Sequence, residues 1–448
     1  MVIEWTSILF VVSLLFLALL IIKIIEKKTN INGELKRKLF HVSMGLVMLT
    51  FPYIFNSALS VGILGIIALA VLMVLKHSKL KNSLGTILYS VNRESLGEIF
   101  FVVSVFTIFY LSKGDVVLYS VPILILTFAD STAALIGKSY GKNNIAELNE
   151  DAKSIEGSFM FFMVAFMATL VPLLLWTTVG REETLIISTI VGFNVALIEM
   201  ISHTGNDNLL IPLTTYAFLA THINLPLEML RENLIILGAI FILVTIVNRI
   251  KSLSKLALVE VIVVGYLTIT LYGIYAVIPP LMLFLTCMSF PRLRENEKNN
   301  IYDARIIETN VVIGMGICGI VAITGLKSEF FMVYGLVYSM HLTLNTFVRF
   351  KYYLKLSEMS SLILAFLKGL IFVFLPSLII QQNVFGTIYS PLMIAVMIVA
   401  LFISGILIKI EKRNVKEEEI NIKNGYMHAQ IVFILTILVY ALQYFSVV

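Results

Sequence analysis

The chain predicts an all-α, polytopic membrane fold, and three observations carry that expectation. Its 448 residues are 59% apolar and only 14% charged, with a mean hydropathy of +0.95, far from the averages of soluble globular domains. Its apolar runs are unbroken and roughly 17–25 residues long, enough to cross a hydrocarbon core of about 30 Å as helices. They lack the period-2 alternation of membrane strands. Finally, 28 of the 33 Lys and Arg residues fall in alternate gaps between these runs, the pattern of loops retained in the cytoplasm.

In chain order, residues 5–25 form the first run. It reads as an anchor and not a cleaved signal, because no basic stretch precedes it and no small-residue cleavage site follows. The gap 23–38 carries six basic residues and leads to runs at 39–54 and 56–75; the gap 76–96 carries four. Runs 97–111 and 116–136 flank Lys113, and the gap 137–156 carries three. Runs 157–177 and 184–200 flank Arg181; the gap 200–208 has no Lys or Arg, and run 209–221 is short enough to be a half-helix. Arg231 precedes 233–248, and the gap 249–255 carries three basic residues before 256–272 and 274–290. Four more lie in 291–305, Lys327 separates 306–324 from 328–348, and three lie in 349–357. Runs 357–380 and 390–408, five basic residues in 409–424 and a last run at 425–446 complete about sixteen spans. Alternation then places both termini outside. Lys368 is a cation within an apolar run and should snorkel or find an acid.

Cys287 and Cys318 lie in apolar runs without metal or redox spacing and read as core residues. The net charge of +5 is explained by the cytoplasmic loops, so a nucleic-acid partner is not expected. The composition sets no oligomeric state.

Three clusters in the first half carry chemistry. Glu34, Lys38, His41 and Gly45 recur at spacings that put them on one helical stripe, with Arg37 beside them. Such a stripe suits phosphates, and equally a basic membrane flank with a Glu34–Lys38 pair at i,i+4. In the second cluster Asp130 lies about six residues inside the fifth run, roughly 9 Å below its end. A carboxylate there costs at least about 2.5–3.5 kcal/mol unless a partner or a cation meets it. A hard divalent ion such as Mg²⁺ is one such partner. Ala133, Ala134, Gly137 and Gly141 leave this helix end bare for close approach of backbone or ligand. Lys138, Lys142 and Lys153 are placed to meet a triphosphate. Ser154 to Gly157, with Glu156, opens the next helix, whose amino end favours anions; packing by small residues is the plainer alternative. In the third cluster Asn194 and Glu199 precede His203, Gly205, Asp207 and Asn208. Acids gathered on one face invite a metal, whereas the Gly-Asn-Asp-Asn turn alone would serve as a helix cap. A weaker stretch, Asn92 to Glu98, is accounted for by a Ser95–Glu98 capping box.

Together these strings resemble the dolichol kinase and phytol kinase family, grouped with the phosphatidate cytidylyltransferases. The matching elements are Glu34-x-x-Arg37-Lys38-x-x-His41-x-x-x-Gly45, Gly97-Glu98, Asp130-Ser131 through Gly137 and Gly141, Lys153-Ser154-Ile155-Glu156-Gly157-Ser158, and Glu199 through Gly205-x-Asp207-Asn208-x-x-x-Pro212, over about residues 30–220. The resemblance implies CTP as phosphate donor, Mg²⁺, and a long-chain isoprenoid alcohol as acceptor. On that reading Asp130, with Glu199 or Asp207, holds the metal. Lys138, Lys142 and Lys153 neutralise phosphates, with Gly137, Gly141 and Ser154 beside them, and Arg37, Lys38 and His41 line the mouth of the nucleotide site. His41 or Glu156 accepts the hydroxyl proton. A cytidylyltransferase shares the Asp130 and Lys153-to-Gly157 elements but carries a longer acidic signature after them, absent here.

Two domains are expected, 1–231 with the chemistry and 232–448 without it. In the second, where Glu260 and Glu308 are the main acids within the runs, Val259 to Asn310 faintly resembles the opening of a phytyl-phosphate kinase-like family. Tyr334 to Phe350 holds no acid where that family has one, so a degenerate or scaffolding half is expected. A transporter would also suit many spans and a mid-helix Asp, but the motifs of 30–210 do not recur in the second half.

Overall fold

The computed structural model describes residues 3–29, 33–77, 97–142, 153–202, 205–247, 255–288, 327–386 and 388–412. Among these the regular structure is helical, as the unbroken runs require. The chain separates into two compact units, Met1–Leu237 and Gly238–Val448.

The first unit is built from α1 (Trp5–Lys28), α2 (Gly33–Met48), the short α3 (Phe51–Ile54), α4 (Ala58–His77), α5 (Gly97–Ser112), α6 (Val116–Leu124), α7 (Asp130–Tyr140), α8 (Ile155–Trp176), α9 (Arg181–Ile201), α10 (Asp207–His222) and the start of α11 (Leu227–Val247). Helix α8 packs against α7 and α9, α10 against α5, α6 and α9, and α2 against α1. An apolar core of Val11, Phe51, Phe101, Ile108 and Tyr119 joins α1, α3, α5 and α6. The chain before α1 is tied down as well: Glu4 accepts hydrogen bonds from the backbone N–H groups of Asn56 (3.1 Å) and Ser57 (3.3 Å).

Three departures from expectation matter for the site. The run expected at 39–54 is two helices: α2 begins at Gly33 and ends at Met48, and Pro52, at a first-turn position where a missing N–H is tolerated, lies in α3. The run expected to end at 136 continues to Tyr140. Asp130 therefore stands ten residues from the helix end, about 15 Å, not about 9 Å. Helices α6 and α7 are continuous through a π-helical turn, Ile125–Ala129, which delivers Asp130. Such a turn inserts one extra residue and re-aims the side chains beyond it.

Among the described residues six helices are long and apolar enough to cross a membrane: Trp5–Glu26, Val116–Tyr140, Ile155–Trp176, Arg181–Ile201, Leu227–Ile246 and Glu358–Phe385. Five further apolar helices are shorter. Helices α2 and α10 belong to neither group, because the polar residues of the motif strings dilute their sequences. The expected spans 306–324 and 425–446, the Ser95 cap, His203, Glu308 and Cys318 lie outside the described residues.

Gly45 on α2 meets the π-helical turn at a distance no side chain would permit: a Cβ there would stand 1.9 Å from Thr127 Oγ1 and 2.7 Å from Thr127 Cβ. Thr127 is β-branched and fully buried, so it cannot swing aside cheaply. Gly45→Ala is expected to cost about 1–3 kcal/mol by overpacking. Adding Thr127→Ala should return part of that loss, since Thr127 Oγ1 has no hydrogen-bond partner to forfeit among the described residues. Thermal melting of the three variants in one detergent checks both statements.

The second unit takes the remainder of α11, α12 (Lys255–Tyr272), α13 (Ile278–Met288), α14 (Lys327–Val348), α15 (Glu358–Gly369), α16 (Leu375–Phe385) and α17 (Pro391–Lys412). Helix α14 is its axis: Phe331 through Leu344 are all buried, and α13, α15, α16 and α17 pack around it. Gly335 faces Ser377, and Gly369 faces Ser339 and Thr343, so these helices touch backbone to side chain. Lys368 meets a backbone carbonyl, a partner of a kind the sequence did not suggest. Its Nζ donates to the Thr286 carbonyl at 3.0 Å, in the last turn of α13, where carbonyls lack intrahelical partners and the helix dipole favours a cation.

Candidate active site

The stripe on α2 is realised. Lys38, His41 and Gly45 all face the helix formed by α6, the π-helical turn and α7. Lys38 Nζ donates to Asp130 Oδ2 at 2.7 Å and lies 3.4 Å from the Asp130 carbonyl. The partner that Asp130 required is thus an ammonium from α2, itself only 5% exposed. His41 Nε2 lies 3.1 Å from the Leu126 carbonyl and 3.7 Å from Asp130 Oδ2. A carbonyl only accepts, so Nε2 carries the proton and Nδ1 is the nitrogen with the lone pair in the neutral ring. Phe101 of α5 meets this ring edge-on, with centroids 5.4 Å apart. Half-buried Arg37 is within electrostatic reach of both Asp130 and His41. The Glu34 side chain lies outside the described residues.

A second acid–lysine pair stands at the start of α8. Lys153 Nζ meets Glu199 Oε1 of α9 at 2.6 Å and also donates to the Glu199 carbonyl. Ser158 Oγ donates to the other carboxylate oxygen at 3.4 Å. Burial alone would push the Lys153 ammonium down. The charges of Glu199 and Asp207, the hydrogen bond to Glu199 and the charge of Asp130 outweigh it and hold Lys153 above the ordinary lysine value. The stability that the Lys153 ammonium contributes is therefore present through the neutral range and falls away as pH rises through that elevated value. The charges of Asp207 on α10 and Asp130 on α7 also favour this ammonium, whose direct contacts are both to Glu199.

The small residues bring these helices together. Gly137 and Gly157 bring α7 and α8 nearly into backbone contact: a Cβ on Gly157 would stand 3.1 Å from the Ala133 carbonyl and 3.3 Å from Gly137 Cα. A Cβ on Gly141 would stand 2.7 Å from Ser154 Cβ. Backbone, then, is what approaches the bare helix end. Ser154 is buried and caps α8, its Oγ accepting from the Gly157 N–H at 3.1 Å. Its hydroxyl is committed to the helix that aims Lys153. Asp207 opens α10 and accepts from the Asn208 N–H at 3.0 Å. Asn208 in turn donates from its side chain to the Gly97 carbonyl at 2.9 Å, fixing α10 on α5. Gly205, at φ +88°, makes the turn before it.

Of the expected site residues, the structure forms two groups, Lys38 and His41 around Asp130 with Arg37 in electrostatic reach, and Lys153 with Glu199, while the charges of Asp207 and Asp130 also act on Lys153. Glu156 is half-buried in the first turn of α8. Lys138 and Lys142 lie exposed at and beyond the end of α7, and neither forms an ion pair with Asp130, Glu199 or Asp207. Among the described residues no three His, Cys, Asp or Glu side chains stand close enough to hold a metal ion by themselves. Ser158, Asn208 and Thr127 stand in the motif strings without an expected role. Their hydroxyl and amide chemistry was visible, but their contacts come from other helices.

The fold and contacts define a helical protein with several candidate membrane spans and two buried acid–lysine pairs in its first unit. The chain is similar to a phytol kinase from Synechocystis sp., 27% identical over 183 residues that cover 40% of this chain and 76% of that protein. No family model matches the chain. No solved structure matches it.

Proposed function

We propose that the first unit transfers the γ-phosphoryl group of CTP to a long-chain isoprenoid alcohol of the phytol, dolichol or polyprenol type, with Mg²⁺, at the cytoplasmic face of a multi-pass cell-membrane protein. The observation that carries this reading is the pair of buried acid–lysine contacts, Asp130 with Lys38 and His41 and Glu199 with Lys153, in the motif strings of the first unit. The similarity to a phytol kinase supports the acceptor class. On the full topology, sixteen spans with both termini outside, the basic loops put this cluster at the inner leaflet.

Phosphoryl transfer needs positioning and charge neutralisation more than a strong base. The alcohol oxygen forms the new bond to the γ-phosphorus as the bond to the β,γ-bridging oxygen breaks, releasing CDP. The alcohol's proton goes to His41 Nδ1, the ring being steadied by Asp130 beside Nε2. Lys38, Lys153 and Arg37 balance the triphosphate, and exposed Lys138 and Lys142 meet it from solvent. Asp130, with Glu199 or Asp207, would hold a magnesium ion jointly with phosphate oxygens, since this ion is usually bound by one or two carboxylates and the phosphates. When bound, that ion would neutralise charge developing on the phosphates.

Incubating purified full-length protein in lipid discs with γ-labelled CTP and a panel of isoprenoid alcohols tests this directly. Labelled lipid is the expected product. Pyrophosphate release with phosphatidic acid, and no labelled alcohol, would replace the kinase with a cytidylyltransferase. Neither product, with a substrate gradient dissipated across proteoliposomes, would make the protein a transporter.

A further inference from the structure

Both strongly buried acids of the cluster are already closed by a lysine. Asp130 Oδ2 is met by Lys38 Nζ at 2.7 Å, and Glu199 Oε1 by Lys153 Nζ at 2.6 Å. Lys38 and Lys153 thus each meet one carboxylate, with Arg37 in electrostatic reach of Asp130. From this we infer that Lys38 and Lys153 hold the positions a divalent cation needs on the carboxylates, and release them only when a polyphosphate supplies new anionic partners. This rests on the reading of the site as a metal–nucleotide centre and deepens it: metal and polyphosphate load together.

The physical reason lies in what each ligand meets alone. A cation arriving without phosphate finds Asp130 and Glu199 each already holding an ammonium. Displacing Lys38 would strand an ammonium that is 5% exposed with no counter-charge, which is among the most costly changes a buried pair can undergo. A polyphosphate arriving without metal finds its lysines held by carboxylates, and freeing them leaves three acids beside a polyanion. When both arrive, each ammonium passes from carboxylate to phosphate, and the carboxylates pass to the cation. Neither Lys38 nor Lys153 is then left without a counter-charge. Linkage then requires that metal and polyphosphate raise each other's affinity by the same factor.

This gives lysine substitutions a sign that a structural ion pair does not share. Removing a lysine should improve binding of the metal alone. The test measures Mn²⁺ binding to the purified full chain by electron paramagnetic resonance, with no nucleotide present. Lys38→Met and Lys153→Met are each expected to bind Mn²⁺ at least about tenfold more tightly than the wild type, a change of about 1.4 kcal/mol. Adding Asp130→Asn to Lys38→Met should remove that variant's gain. In parallel, the wild-type melting temperature should rise with Mn²⁺ and tripolyphosphate together and stay within error with either alone. Folded lysine variants that bind Mn²⁺ no more tightly than the wild type would overturn the exchange. So would a wild type stabilised as much by Mn²⁺ alone as by both ligands, a measurement that decides the matter even where a variant fails to fold. An active lipid kinase without the Mn²⁺ gain removes only the exchange. A clear gain without lipid phosphorylation removes only the kinase.

Discussion

Asp130→Asn is expected to abolish lipid phosphorylation, by about 100-fold or more, and to destabilise the protein at the same time. The amide keeps the shape of the side chain and loses its charge. Lys38, whose Nζ lies 2.7 Å from the carboxylate and is almost wholly buried, then loses its counter-ion, a cost of about 3–5 kcal/mol. The two effects separate in the double variant. Lys38→Met with Asp130→Asn removes both charges and should recover most of the lost melting temperature while leaving turnover at background. Labelled-lipid assays and thermal melting on the same preparations check both. Recovered activity in the double variant would mean that the pair only holds α2 against α7.

The same pair shows what could be read from the chain and what could not. The spacing of Lys38, His41 and Gly45 gave their common face, because helical periodicity is local, and all three contact one partner helix. That Asp130 needed a partner also followed from its apolar flanks. Which partner it found did not follow, because Lys38 lies 92 positions away and nothing in either segment encodes their meeting. The π-helical turn Ile125–Ala129 left no signal either. Its sequence is an ordinary apolar stretch, yet it sets the direction of Asp130 and supplies the Leu126 carbonyl that fixes the His41 tautomer. Helix ends were displaced for a related reason: α7 continues to Tyr140 because Gly137, Lys138, Ser139 and Tyr140 lower the hydropathy but include no proline to stop the helix. Among the described residues α2 and α10 are not candidate spans, since they spend their polar residues on the site and are less apolar for it. In the second half, Lys368 found the carbonyl end of α13, a partner that composition does not display.

Lys153→Met is expected to raise the apparent KM for the nucleotide by about 30- to 150-fold, the value of one charge-assisted hydrogen bond at about 2–3 kcal/mol, and to leave the KM for the alcohol within about twofold. The asymmetry follows from position. Lys153 immediately precedes the Ser154 cap of α8 and is bound to the carboxylate and carbonyl of Glu199, so its ammonium serves anions at a helix amino end and has no apolar surface to offer a lipid tail. Glu199 is 8% exposed, and the single variant leaves its carboxylate with only the Ser158 hydroxyl; a lower melting temperature is expected too. Glu199→Gln added to Lys153→Met should restore stability without restoring nucleotide use, because a neutral pair packs as well but gives the phosphates no charge. Were the double variant to regain the wild-type nucleotide KM, Lys153 would be a strut between α8 and α9, and the phosphates would have to be met by the exposed Lys138 and Lys142 instead.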